Sequence, residues 1–312
     1  MRLVSFTTAH GDPVERVGLV DGDPADPDAA SVTDLTDLVR AGTDAAGLSP
    51  MRALAGSWDA LRGSLTPDAG PATALRDVAL RPVVPDPGTV LAAPVNYHDH
   101  MVEMSQTSHV GALGVFLKAP ASVLAHGGTV ALPYTDRRFD QEGELAVVIG
   151  REARHVSEAD ALDHVLGYTG CLDITMRGGE DRSLRKSFAT FTPLGPWLVT
   201  ADEVDPTDVD LVCAVDGHVR QRASTRDLIW SVAALVSYAS SVYPLRPGDV
   251  LTTGTPAGVG EITAGQEVVL SLSGLPDLRV GVAADHAVAC PTSGAGKGPV
   301  PPPTPEPVAA GR

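Results

Sequence analysis

The chain has 312 residues, 43% of them hydrophobic and 20% charged, the balance of a globular protein with room for one large or two medium domains. Its formal net charge of -16 argues against nucleic acid or an anionic membrane as partner, because both would repel most of its surface. The N-terminal MRLVSFTTAHGD lacks an apolar leader core, and no stretch approaches about 18 uninterrupted apolar residues, so the sequence predicts a cytoplasmic protein without signal peptide or membrane span.

In chain order, RLVSF and RVGLVDGDP read as strands, with Asp21-Gly22 as a hairpin turn, and residues 1–84 form a small α+β N-terminal domain. The proline-rich RPVVPDPGTV, Arg81 to Val90, is an extended connector. Beyond it ELAVVIG, PWLVT, LVCAVDGHVRQ with a hairpin at Asp216-Gly217, DVLTTG, EVVLSLS and LRVGVAA all read as strands. Two stretches read as helix: SEADALDHVLGY, with Ser157 as N-cap and a stripe of Ala161, Leu162, Val165 and Leu166, and TRDLIWSVAALVSYASSVY, with Thr225 as cap. Many strands, few helices and no βαβ alternation predict a mainly β domain over 85–290, a rolled sheet or barrel. The proline- and glycine-rich tail, 291–312, has no apolar period and is expected to be disordered. Cys171, Cys213 and Cys290 are odd in number and widely spaced, which fits buried thiols and neither a disulfide framework nor a thiolate zinc site.

The chemistry concentrates around FDQEGELAVVIG. On a strand, Glu142 and Glu144 share a face with Ala146 and Val148, while Leu145, Val147 and Ile149 take the other, so both faces are covered. Two like charges at the head of such a strand repel unless a cation or hydrogen-bond donors lie between them, although a strand end emerging into water also produces a lone Glu-x-Glu. Asp173, in GYTGCLDITMR, is a third acid at the end of an apolar strand-like run. Three such carboxylates make a hard, all-oxygen site suited to Mg²⁺, Mn²⁺ or Ca²⁺, unless they are unrelated surface acids. In VNYHDHMVEMSQ, one helical turn places His100 and Glu103 on a common face, where the carboxylate orients the imidazole as a general base; His98 competes for that role. Lys118, Arg177 and Lys186 supply cations for an anionic substrate.

Taken together, NYHDHMVE, VFLKAP, FDQEGELAVVIG, GYTGCLDITMR, KSFATFTPLGPW, VDGHVRQ and LRPGDVLTTGTPAGVG, in this order from about Val90 to Val282, resemble the fumarylacetoacetate hydrolase family. The resemblance implies a β-roll core, a homodimer, and a divalent metal, Mg²⁺ with Mn²⁺ or Ca²⁺ as alternatives, on Glu142, Glu144 and Asp173. It implies His100 and Glu103 as the catalytic pair on a mobile lid with Lys186 as a further catalytic residue. Lys118, Arg177, Glu180, Thr190, Gly254 and Thr255 are the implied substrate contacts. The chain departs from the family where Arg-Asp-x-Gln becomes Arg177-Gly178-Gly179-Glu180, where Ala189 stands in Lys-Ser-Phe-Ala-Thr, and in a short 178–185 loop. Asn96 occupies a position held by Asp in the founding hydrolases.

The resemblance further implies hydrolytic carbon–carbon cleavage of a 3-acylpyruvate-like or β-diketo acid. Metal-dependent decarboxylation of a 2-oxo acid, or enol–keto isomerisation or hydration, is the alternative; a scaffold without activity fits poorly with intact metal ligands and dyad.

Overall fold

The Gly143–Ile149 strand holds the middle of the structure because its alternation leaves no polar face. A computed structural model, which describes residues 1–8, 13–22, 29–43, 46–294 and 301–302, buries the whole strand. Leu145, Val147 and Ile149 enter one core with Leu211, Cys213 and Leu270, whereas Ala146 and Val148 enter a second with Leu3, Val17 and Leu54. Burying a valine- or leucine-sized side chain contributes about 1.5–3 kcal/mol, so each face of the strand holds a covering layer in place.

The main sheet runs in the order Ala72–Ala74, Ser31–Asp34, Arg16–Asp21, Arg2–Thr8, Thr192–Thr200, Val165–Leu172, Gly143–Ile149, Val250–Thr252, Val90–Ala92 and Phe116–Lys118. Its pairings are antiparallel except where Val250–Thr252 lies parallel to Val90–Ala92 and Val123–Leu124 lies parallel to Thr192–Thr200. A five-stranded sheet, from His218–Ser224 through Asp210–Val215, Glu267–Leu272 and Leu278–Ala283 to Thr129–Ala131, covers the Leu145 face. A small third sheet joins Thr175–Met176, Phe139–Gln141 and Gly260–Glu261. The fold is mainly β with few helices, as the strand-rich pattern predicts. Its Asp216-Gly217 hairpin has both turn residues at positive φ, 50° and 76°.

The N-terminal segment is sewn into this sheet: Arg2 pairs with Val199 and Leu3 with Leu198. Its helices Thr36–Gly42 and Pro50–Gly56, the second opened by Pro50 with the Ser49 side chain accepting from Arg52 N–H at 3.3 Å, place Val39, Met51 and Leu54 over the Ala146 face. Residues 81–89 carry neither helix nor strand.

Several local expectations are corrected. SEADALDHVLGY is not a helix: Ala161–His164 is a single 3₁₀ turn, and Val165 starts the buried strand to Leu172. A strand buried on both faces and one stripe of a helix share the same short apolar run, and the β-branched and aromatic side chains beyond it decide the outcome. The later helix starts at Val232 with Ser231 as its cap, while Thr225 opens only a 3₁₀ turn. Asp21 pairs with Ser31, so the first link is longer than the two-residue hairpin expected. Cys171 and Cys213 are buried, but Cys290 is only half-buried. Of the tail expected to be disordered, residues 295–300 and 303–312 lie outside the described residues; Thr292 and Gly294 accept hydrogen bonds from Arg137 and from the Gly179 amide. Among the described residues, no helix is long and apolar enough to cross a membrane.

Candidate metal centre

The site begins where the sheet is interrupted. Glu142 separates the Phe139–Gln141 strand from Gly143–Ile149, and its carbonyl accepts the Asp173 amide at 2.8 Å just past the end of Val165–Leu172. Gly143 is needed here, since a Cβ would lie 2.9 Å from Leu270 Cδ1 and 3.1 Å from Cys213 Cβ. The Gln221 side chain accepts from Gly143 N–H at 2.9 Å and donates to Thr255 Oγ1 at 2.7 Å, locking the break against the 253–256 loop. As a result one carboxylate oxygen each from Glu142, Glu144 and Asp173 lies within 4.8 Å of the others, all three side chains being buried.

Buried carboxylates at such range require countercharge. Lys186 Nζ donates to Glu142 Oε2 at 2.6 Å and also to Asp173 Oδ2, and Lys118 Nζ donates to Asp173 Oδ1 and to the Phe191 carbonyl at 2.9 Å. Arg177 bridges Asp140 Oδ2 at 2.6 Å and Glu142 Oε1 at 2.9 Å. Glu144 accepts the Gly254 amide at 2.9 Å. Burial opposes ionisation of Glu142, but Lys186 and Arg177 outweigh it and hold the carboxyl well below the usual range. Burial, reinforced by repulsion from Asp173 and only partly offset by Lys186, pushes Glu144 up to about 8. An all-oxygen donor set with one carboxylate short of positive charge fits a hard divalent cation and not zinc, which favours nitrogen and sulfur.

The dyad stands at the same cavity. His98–Glu103 is helical, and His100 Nδ1 lies 2.9 Å from Glu103 Oε2, while Glu103 Oε1 accepts the Gly258 amide at 2.8 Å. An ionised Glu103 fixes the proton on Nδ1 and leaves the Nε2 lone pair free to act as a base. His100 lines a cavity of about 400 Å³ together with Glu142, Glu144, Asp173, Arg177 and Lys186. His98 is exposed and stacks edge-on with His109 at 6.5 Å, away from the carboxylates.

The remaining sequence candidates divide. Thr255 and Glu180 line the cavity, but Glu180 Oε1 accepts from Arg137 at 2.6 Å and from Thr292 Oγ1 at 2.7 Å. Lys118, completely enclosed, orients Asp173 and does not line the cavity. Thr190 Oγ1 accepts from Ala131 N–H at 2.9 Å and also lies outside the lining, as does Gly254, whose amide serves Glu144. Asn96 is a clamp: its Nδ2 donates to Trp230 O at 3.0 Å and Thr253 O at 2.8 Å, and its Oδ1 accepts from Trp230 N–H at 2.8 Å. Sequence reasoning missed Asp140, which shares strand parity with Glu142 in FDQE, and the pair Arg182 and Arg185, whose spacing of three was its only signal.

Residues 89–283 match the family described as fumarylacetoacetate (FAA) hydrolase C-terminal. A maleylpyruvate hydrolase of Aquipseudomonas alcaligenes is 43% identical over 224 residues, 68% of this chain and 78% of that protein. A 4-hydroxyphenylacetate degradation bifunctional isomerase/decarboxylase of Salmonella dublin is 41% identical over 194 residues, 60% of this chain and 45% of that protein. Among solved structures, a maleylpyruvate hydrolase from Sphingobium sp. SYK-6 in complex with manganese(II) and pyruvate superposes with a TM-score of 0.76 at 32% identity, covering 93% of this chain and 100% of that one.

Proposed function

Because the chain belongs to the fumarylacetoacetate hydrolase family, we propose that it is a metal-dependent hydrolase cleaving a carbon–carbon bond in 3-acylpyruvate-like or β-diketo acids. The observation that carries this reading is the meeting of the Glu142–Glu144–Asp173 cluster and the His100–Glu103 pair in one cavity. The similarity to two maleylpyruvate hydrolases, one of them holding manganese(II) and pyruvate, supports it.

Glu142, Glu144 and Asp173 would hold the cation, Mg²⁺ or alternatively Mn²⁺ or Ca²⁺. When bound, it would polarise the 2-oxo acid and draw electron density from the bond to be broken. His100 takes a proton from water through Nε2 while Glu103 stabilises the imidazolium. The hydroxide adds to the acyl carbonyl, and collapse of the adduct breaks the bond between that carbon and the pyruvate methylene carbon. The acyl part leaves as a carboxylic acid. His100 then returns its proton to the methylene carbon, giving pyruvate and balancing the added water. Lys186, between Glu142 and Asp173, steadies the negative charge that passes across the substrate. Arg177 and Thr255 line the space that the 2-oxo acid fills.

A second reading, decarboxylation or isomerisation, is favoured by the similarity to the Salmonella dublin enzyme. The Mg²⁺-loaded protein, incubated with acylpyruvates, oxaloacetate and alkenyl 2-oxo acids, separates the two by product mass. Pyruvate plus a carboxylic acid is expected from acylpyruvates; only CO₂ loss or an isomer of unchanged mass would replace hydrolysis by the second reading. We also propose a homodimer, to be checked by light scattering after gel filtration.

A further inference from the structure

The family match ends at residue 283, but the described chain continues to 294 and returns to the cavity. Val288 bridges to Tyr134 in parallel; its N–H donates to the Pro133 carbonyl at 3.0 Å and its carbonyl accepts from Thr135 N–H at 3.0 Å. The Cys290 amide donates to Asp136 Oδ1 at 2.8 Å. Arg137 Nη2 then donates to the Thr292 carbonyl at 2.8 Å and to Thr292 Oγ1 at 3.0 Å. Residues 288–292 are thus laid along residues 133–137, which lead into the Phe139–Gln141 strand and Glu142.

The far end of this segment holds one wall of the cavity. Gly178, Gly179, Glu180 and Asp181 line that wall and carry neither helix nor strand. Two successive glycines give it little backbone preference of its own, so its position has to come from contacts. The Gly179 amide donates to the Gly294 carbonyl at 2.7 Å, and Thr292 Oγ1 donates to Glu180 Oε1 at 2.7 Å beside Arg137. The fit is close on both sides. A Cβ on Gly178 would lie 2.1 Å from Glu180 Oε2, and a Cβ on Gly294, which has φ +83°, would lie 2.5 Å from Arg137 Nη1. With Glu180 folded back over residue 178, only glycine fits there, which is a physical reason for Gly178 where the family pattern carries Asp.

We infer that residues 288–294 form a strap that positions the 178–181 wall, with Thr292 and Gly294 as its positioning residues, so that a segment outside the matched family region sets how tightly substrate is held. The inference rests on the proposed hydrolase reading only for the choice of substrate. Neither Thr292 nor Gly294 lines the cavity, so each acts through the wall. A wall that holds ground state and transition state alike changes KM and leaves kcat.

The test compares the full-length wild type with Thr292→Val, Thr292→Ser and Gly294→Ala. Hydrogen exchange over residues 178–181 is followed by mass spectrometry, and steady-state kinetics are measured on a 3-acylpyruvate with saturating Mn²⁺. Loss of a hydrogen bond of ordinary strength predicts roughly 2- to 10-fold faster exchange in Thr292→Val and Gly294→Ala, and a KM raised by a similar factor with kcat within about twofold of wild type. Thr292→Ser keeps the hydroxyl and should match the wild type in both measurements. Residue 292 is exposed, so its variants are expected to fold. Unchanged exchange at 178–181 in Thr292→Val and Gly294→Ala, a serine variant no better than the valine one, or a loss confined to kcat and Tm at constant KM overturns the inference. Exchange is read without substrate, so a wild type that cleaves no acylpyruvate ends the hydrolase assignment and leaves the exchange result to decide the strap.

Discussion

Glu144 gives the candidate metal centre a proton that the incoming cation must displace. Its carboxyl is raised from 4.5 to about 8 by burial first and by Asp173 second, whereas Glu142 is held ionised by Lys186 and Arg177. Below about pH 8 most molecules therefore carry a proton on Glu144, and above it few do. Only the carboxylate is a ligand, so cation binding should release a proton at neutral pH and progressively less of one as pH rises past about 8. The apparent affinity should climb about tenfold per pH unit up to 8 and then level. The sign for stability follows from the raised pKa: Glu144's own contribution in the metal-free protein is complete below its ordinary 4.5 and lost as pH rises through about 8. A saturating cation requires the ionised form, so at equal concentration it should raise Tm more at pH 9 than at pH 6. Calorimetry with Mn²⁺ in buffers of different ionisation enthalpy measures the released protons, and melting curves measure the stabilisation. Affinity that is flat from pH 6 to 9, with no proton released, would refute the reasoning.

Other perturbations reach separate parts of the site. His100→Ala should lower hydrolysis by roughly 10²–10⁴ with metal affinity kept, while a comparable loss in His98→Ala would transfer the base to the exposed histidine. Lys118→Met leaves Asp173 short of a buried counter-ion and should destabilise the metal-free protein by about 3–5 kcal/mol in urea titrations, less once Mn²⁺ is bound; an equal loss in both forms contradicts this pairing. Gly258 has φ +100°, and a Cβ there would lie 1.9 Å from the Arg220 carbonyl, so Gly258→Ala should move the amide that anchors Glu103 and lower both Tm and kcat. Glu180→Gln keeps its hydrogen-bonding reach to Thr292 but drops the charge pair with Arg137, an exchange expected to change stability by no more than about 1 kcal/mol; a larger loss in chemical denaturation would mean that this pair braces the loop.

What could be read from the chain follows physical range. The alternation of ELAVVIG fixes which side chains share a face, and the two cores divide the strand along those lines. One helical turn joins His100 to Glu103, so their contact was also readable. Lys118 and Asp173 are 55 residues apart, and Arg137 and Glu180 are 43 apart; no local pattern announces which cation neutralises which acid. The sequence suggests Arg177 as the neighbour of Glu180, yet Arg177 is turned to Asp140 and Glu142 instead, because those two carboxylates are buried and offer the stronger pairing. The Ala161–Leu166 stripe misled for a different reason: short apolar runs do not carry enough turns to separate a helix from a strand with two covered faces.

Oxygen tracing during turnover tests the central claim most directly. The Mg²⁺-loaded protein is given a 3-acylpyruvate in water enriched in ¹⁸O, and the products are weighed by mass spectrometry, with early time points compared against a protein-free control. The proposed chemistry predicts pyruvate and a carboxylic acid in equal amounts, the acid carrying one solvent oxygen in its new carboxyl group, with both products lost on adding EDTA. Release of CO₂, a rearranged substrate of unchanged mass, or an acid formed without solvent oxygen would contradict hydrolysis at this site.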